Sequence, residues 1–142
     1  MAVILQATSA TSGDAAWVDS SGYAARIERQ EIAILAGGTV NFYFWAPYNM
    51  TITRIDVVAI TAPVSAAGTY LFTIAGAGNN LLAASNFDLE SLVSGTLTSL
   101  TLTGTTANLN IDAGGLVQAN FVSNNVDLTG EGMHIILYYS SR

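Results

Sequence analysis

The side chains that could perform acid–base or nucleophilic chemistry are few in this sequence. His134 is the only histidine, and cysteine is absent. Catalysis needs a base or nucleophile within reach of a partner, and no Gly-x-Ser-x-Gly segment marks a nucleophilic serine. A Ser-His-Asp site stays open on composition, but a histidine inside a predicted strand is more typical of an interface or of a hydrogen-bonded surface. We therefore predict that the chain is not an enzyme.

Carboxylates and amides gather at two places that could hold an ion. Asp88 and Glu90 stand at a predicted helix start, where carboxylates satisfy free backbone N–H groups. The loop from Asn124 to Gly132 contains Asp127 and Glu131, and such hard oxygen ligands could hold calcium. Its spacing does not match an EF-hand, so turn formation is the preferred interpretation. We predict no metal and no cofactor.

The charge balance argues against a nucleic-acid partner. Charged residues make up only 10% of the chain and the net charge is −6. Lysine is absent, and the four arginines are too few to neutralise a phosphate backbone. The most apolar stretch, residues 57–82, is interrupted by Thr, Ser, Pro and Asn, so it does not give the ~20 apolar residues of a membrane helix. The start lacks the basic segment of a secretory signal.

Most of the chain has the alternating pattern of short β-strands. In residues 39–46 the apolar Val40, Phe42 and Phe44 alternate with polar and aromatic residues, and residues 69–75 alternate in the same way. Residues 49–61 change phase midway, which a β-bulge would accommodate. Residues 88–93 are the one helix candidate. About eight antiparallel strands separated by turn signals predict an all-β fold, a β-sandwich of the jelly-roll type.

The alternating pattern is missing from the first 25 residues, and this difference divides the chain into an arm and one domain. Residues 1–25 are rich in Ala, Ser, Thr and Gly, and they show neither strand nor helix periodicity. We predict an extended N-terminal arm over 1–25 and a jelly-roll domain over 26–142.

The surfaces of the predicted strands carry almost no charge. No Asp, Glu, Lys, Arg or His lies between Val57 and Phe87 or between Ser91 and Ile111. Monomeric β proteins protect strand edges with charge, so we expect these surfaces to be covered in an assembly. A monomer with hydrated Thr and Ser faces is the alternative. The predicted interface residues are aromatic positions in the arm and in residues 39–46, together with one face of the last strand: Trp17, Tyr43, Trp45, His134, Ile136 and Tyr138.

Four segments carry a resemblance to a known family. They are MTITRIDVVAITAP (50–63), NFDLESLVSGTLTSLTL (86–102), LNIDAGGLVQANF (109–121) and DLTGEGMHIILY (127–138). In the order of strands and Ala-Gly turns, the chain from about Phe44 to Tyr139 resembles the small jelly-roll decoration, or cement, proteins of tailed bacteriophage capsids.

The resemblance implies a homotrimer on the outer surface of a virion, made in the host cytoplasm. It implies binding between subunits of the major capsid protein, over local three-fold positions of the head, with the arm as a clasp. The alternative is a carbohydrate- or receptor-binding jelly-roll module of a phage fibre or a similar assembly. The aromatic residues Trp17, Tyr43, Trp45 and Tyr48 are compatible with both functions, because such rings stack on sugars and also anchor protein interfaces.

Overall fold

The computed structural model describes residues 38–64, 68–124 and 129–142 with their side chains, and three further strands, in 4–32, as backbone. These parts form two antiparallel β-sheets packed against each other. The prediction of an all-β sandwich is therefore confirmed. The only helical elements among the described residues are two 3-10 turns, Leu89–Ser91 and Thr106–Leu109.

The described strands vary from two to 15 residues in length. In chain order they are β1 (Ile4–Ala7), β2 (Ala15–Val18), β3 (Ala24–Ile32), β4 (Gly38–Trp45), β5 (Met50–Val64), β6 (Tyr70–Gly76), β7 (Asn79–Asn80), β8 (Phe87–Asp88), β9 (Thr98–Ser99), β10 (Asn110–Ile111), β11 (Leu116–Ser123) and β12 (Thr129–Ser141).

Consecutive strands from β3 to β6 alternate between the two sheets, after which β11 belongs to the second sheet and β12 to the first. The first sheet has the order β1-β2-β3-β12-β5-β10, and β9 also pairs with β5. The second sheet has the order β4-β11-β6-β7, and β8 also pairs with β6. The two longest strands, β5 and β12, therefore lie side by side in the middle of the first sheet, and β11 lies between β4 and β6 in the second.

The core lies between the sheets and follows the predicted alternation. Buried residues alternate with more exposed ones along β6 and β11, at Phe42 and Phe44 of β4, and from Ile135 to Tyr139 of β12. The rings of Phe72 and Phe121 meet inside, with centroids 4.9 Å apart. Since successive side chains of a strand point to opposite faces, the remaining residues of each strand form the outer surfaces.

The predicted phase change in β5 is a bulge. Ile52 pairs with Tyr139 and Arg54 pairs with Tyr138, so Thr53 is an extra residue in β5. This residue reverses the parity of the strand: Met50 and Ile52 face the core before it, and Ile55 does so after it.

Other predicted elements are shorter than expected. The helix candidate at 88–93 is a single 3-10 turn, and its predicted cap is confirmed because the Asp88 side chain accepts a hydrogen bond from the Glu90 backbone N–H. Residues 97–102 alternate in sequence and predict one strand, but the strand ladder covers only Thr98–Ser99, and Leu102 adds an isolated bridge to Leu82.

Two strands occur where the sequence indicated an arm. β1 and β2 lie within residues 1–25, and they extend the first sheet beyond β3 through antiparallel pairing. Sequence analysis predicted no strand here. The division into an arm over 1–25 and a domain over 26–142 stays a prediction.

Candidate functional site

The molecule has two outer sheet surfaces that differ in chemistry. The β5–β12 face is the outer side of the central strands of the first sheet, formed by Arg54, Asp56, Val58, Ile60, His134, Ile136 and Tyr138. The β4–β11–β6 face is the outer side of the second sheet, formed by Thr39, Asn41, Tyr43, Trp45, Leu71, Thr73, Ala75, Leu116, Gln118, Asn120 and Val122.

A buried ion pair lies in the middle of the β5–β12 face. The Asp56 side chain is fully buried, although it points away from the core. Its Oδ1 accepts hydrogen bonds from Arg54 Nε at 2.7 Å and from Ser99 Oγ at 2.7 Å, and Arg54 Nη2 lies 2.7 Å from Oδ2. Strand pairing brings Ser99 to this position, because β9 places it opposite Asp56. The carboxylate is thus neutralised within the chain.

Tyr138 completes this group of polar side chains. The Arg54 guanidinium carbon lies 5.0 Å from the centroid of the Tyr138 ring, within the range of a cation–π contact. Burial raises the pKa of the Tyr138 phenol, and the neighbouring Asp56 carboxylate raises it further, whereas Arg54 lowers it. The hydrogen bond to Asp56 raises the pKa of Arg54. Arg54 is therefore charged and is held between a carboxylate and an aromatic ring.

One end of the β5–β12 face is apolar and exposed. Ile60 is 61% exposed, and it lies over Gly132, where an added Cβ would come within 2.5 Å of its Cδ1. The loop before β9 lies against the same part of β5, because Gly95 N donates to Ala59 O at 2.8 Å. This loop adds the exposed Val93 and Leu97. We name these three exposed residues, Ile60, Val93 and Leu97, the Ile60 patch.

The β4–β11–β6 face combines aromatic rings with uncharged polar groups. Tyr43 is 51% exposed and Trp45 is 63% exposed. Next to them on β11, Gln118 Nε2 donates to Asn120 Oδ1 at 3.0 Å. None of the residues that form this face is charged.

The predicted interface residues fall on three parts of the molecule. His134, Ile136 and Tyr138 lie together on β12, where His134 is buried and the other two are half-buried. Tyr43 and Trp45 lie together on β4, on the opposite side of the sandwich. Trp17 belongs to β2, and its side chain lies outside the described part of the structure. Asp127, in the loop considered for calcium, also lies outside the described part of the structure.

A cleft of about 360 Å³ lies beside Ser99. Two backbone contacts join its walls: Ala83 N donates to Thr101 O at 2.9 Å, and Leu82 forms an isolated bridge with Leu102. Its lining carries no charged side chain and consists of Leu82, Ala83, Ala84, Asn86, Phe87, Ser99, Leu100 and Thr101. The cleft is suited to an apolar or neutral group.

Sequence analysis missed the ion pair and the Ile60 patch. Arg54 and Asp56 are two residues apart in a strand pattern, a spacing that places both on one face and could have indicated the pair. The contribution of Ser99 depends on a pairing across 43 positions of sequence. No local pattern indicates such a contact.

Comparisons with protein-family models, curated proteins and solved structures give no match. Among the described residues, no helix has the length and apolar character needed to cross a membrane. In the same part of the chain, no three His, Asp or Glu side chains are grouped so that they could hold a metal ion.

Proposed function

We propose that this chain is a structural subunit, a jelly-roll decoration protein that binds the outer surface of a phage capsid as a homotrimer. The observation that carries the proposal is the β5–β12 face, which combines the apolar side chains of Val58, Ile60 and Ile136 with an ion pair that is already neutralised. Such a surface suits burial against a protein, because covering it leaves no carboxylate without a partner.

The exposed end of this face supports the same function. Ile60, Val93 and Leu97 are 61%, 64% and 45% exposed, and all three lie at the same end of β5. Single exposed apolar residues are common on soluble proteins, but a group of large ones beside a half-buried apolar strip is typical of an interaction surface. We place the contact between protomers on this face, and avid capsid binding depends on the trimer that this contact forms.

The strand order supports the jelly-roll part of the proposal. Eight of the ten strands from β3 to β12 distribute into the orders β3-β12-β5-β10 and β4-β11-β6-β7, and β8 and β9 lie beside them. Two Greek keys folded into two sheets give this kind of alternation.

A trimer would bind the capsid with higher affinity than one copy does. A patch of a few apolar side chains makes a weak contact by itself. Three linked copies bind one capsid site with a high effective concentration, so their combined affinity exceeds that of one contact by orders of magnitude. An acidic chain with no lysine is also suited to the outside of a shell, away from packaged DNA.

Co-sedimentation with capsid shells assembled without this chain tests the proposal. The full chain is titrated against shells of the major capsid protein from the genome that encodes it, and bound protein is measured in the pellet. We expect saturable binding at a fixed number of copies per shell. Binding that is absent, or that rises without saturation, would overturn the proposal.

A charge placed in the Ile60 patch provides the matched control. Ile60→Asp should abolish binding to the shells, because the contact would bury an unpaired carboxylate. Val122→Asp introduces the same charge on the opposite side of the sandwich, at a residue that is 41% exposed. That variant should bind the shells like the unmodified chain.

A further inference from the structure

The proposed assembly function leaves the β4–β11–β6 face unused. Two aromatic rings dominate one part of it. Tyr43 and Trp45 are separated by two positions on β4, and both side chains point outward. Two strand residues span about 6.7 Å, so the rings can lie side by side along the strand. Together they form a short aromatic platform.

A row of amides borders this platform on the next strand. Gln118 lies opposite Tyr43, and Asn120 lies opposite Asn41. Gln118 and Asn120 are hydrogen-bonded to each other through one N–H group and one oxygen. In either orientation of the two amides, one carbonyl oxygen and one NH2 group of the pair stay available to a ligand. Thr73 adds a hydroxyl opposite Asn120, on β6.

Charge is absent from the surface that the platform and the amides form. No residue of the β4–β11–β6 face is Asp, Glu, Lys, Arg or His. Strand pairing brings one carboxylate to its border: Asp88 lies opposite Leu71, and its Oδ1 accepts a hydrogen bond from Glu90 N at 3.0 Å. A ligand with a carboxylate or phosphate would find no cation among these residues, and a cationic ligand would find no anion on the face.

We propose that the β4–β11–β6 face binds a neutral oligosaccharide. The negatively polarised faces of Tyr43 and Trp45 attract the C–H groups of pyranose rings, and their separation along β4 allows one ring beneath each of two adjacent sugars. Sugar hydroxyls both donate and accept hydrogen bonds, so they satisfy the free oxygen and the free NH2 group of the Gln118–Asn120 pair at the same time.

A dry protein contact fits this face less well than a sugar does. Apolar protein surface would leave the remaining oxygen and NH2 group of the Gln118–Asn120 pair without hydrogen-bond partners, which opposes binding. The β5–β12 face differs, because its buried carboxylate is already paired with Arg54 and hydrogen-bonded to Ser99 inside the chain. The chemistry of the two faces therefore assigns the protein partner to one and the sugar to the other.

Isothermal titration of the full chain with short neutral oligosaccharides tests the proposal. The panel contains gluco-, manno-, galacto- and N-acetylglucosamine oligomers, and an oligogalacturonate serves as the charged comparison. We expect at least one neutral oligomer to bind, and Trp45→Ala to lower its affinity by about tenfold or more. The oligogalacturonate should not bind.

Two further variants locate the site. Val64→Ala, at an exposed position on β5 in the other sheet, should leave the affinity unchanged. Gln118→Ala should lower it severalfold, because it removes a hydrogen-bonding group from beside Tyr43. The proposal is overturned if no neutral oligomer binds, or if binding persists unchanged in Trp45→Ala. Neither result bears on capsid binding, which is measured separately and through the opposite face.

Discussion

Among the residues whose side chains are described, the β5–β12 face and the β4–β11–β6 face both carry little unpaired charge, but they reach that state in different ways. On the β5–β12 face, Asp56 and Arg54 neutralise each other, and Ser99 supplies a further hydrogen bond. The β4–β11–β6 face has no charged residue, and its amides keep hydrogen-bonding groups directed to the outside. Low charge alone therefore does not identify a partner. The partner follows from whether the polar groups are already satisfied.

The largest difference between the faces is expected when an acidic residue is introduced. Ile60→Asp should weaken self-association by at least about a hundredfold, because an unpaired carboxylate would be buried in the contact. Val122→Asp should leave association unchanged. Sedimentation velocity over a concentration series measures both. Equal weakening by the two variants would contradict the assignment of protein contacts to one face.

Removal of the buried negative charge tests the role of the ion pair in stability. Asp56→Asn should lower the free energy of unfolding by about 1.5–3 kcal/mol, the contribution of hydrogen bonds to a charged group. On the other face, Thr73→Ala should change stability by less than about 0.5 kcal/mol. Urea titration gives both values. A loss below about 0.5 kcal/mol for Asp56→Asn would show that the pair does not stabilise the fold.

The dependence of stability on alkaline pH tests the burial of Tyr70 on the inner side of the second sheet. The Tyr70 hydroxyl is buried without a hydrogen-bond partner in the described part of the chain, and burial raises the pKa of Tyr70 to about 12 from 10.0. Because the unfolded chain ionises first, this residue favours the folded state below about pH 10, and the benefit is lost as the pH rises toward about 12.

The variant Tyr70→Phe removes this dependence. It should have about the same stability as the parent chain near pH 7, because it deletes an unsatisfied group. Between about pH 10 and 12 the parent should lose stability more steeply than the variant. Urea titrations of both proteins at several pH values measure the difference. Parallel pH profiles of the two proteins would contradict the assignment of this loss of stability to Tyr70.

The smallest expected effect on stability belongs to the aromatic platform. Trp45→Ala should change the free energy of unfolding by less than about 0.5 kcal/mol, because the ring is 63% exposed. Thermal unfolding followed by circular dichroism measures this change. A large loss would mean that Trp45 supports the fold, and a loss of sugar binding in that variant could then not be assigned to the site.

Local pattern was sufficient to predict the strands that face the core on one side. β4 and β6 alternate in sequence as they do in burial, and the phase change in β5 correctly indicated the bulge at Thr53. The Asp88 cap was also predicted, because capping involves only neighbouring residues. These features depend on interactions within a few positions of the chain.

Features that depend on strand pairing were not predicted. The strands β1 and β2 are four residues long, too short to show a period, and their order comes from pairing with each other and with β3. Asp56 was not identified as a buried residue, because its burial requires β9 and β12 beside it. The candidate residues on β4 and β12 were named from sequence, but only the register shows which polar groups accompany them.

The mass of the full chain in solution tests the central claim most directly. The claim is that this protein works as an assembled subunit through its β5–β12 face. Sedimentation equilibrium at micromolar concentration should give the mass of three chains, and Ile60→Asp should give the mass of one. A parent chain that stays monomeric under these conditions would contradict the account.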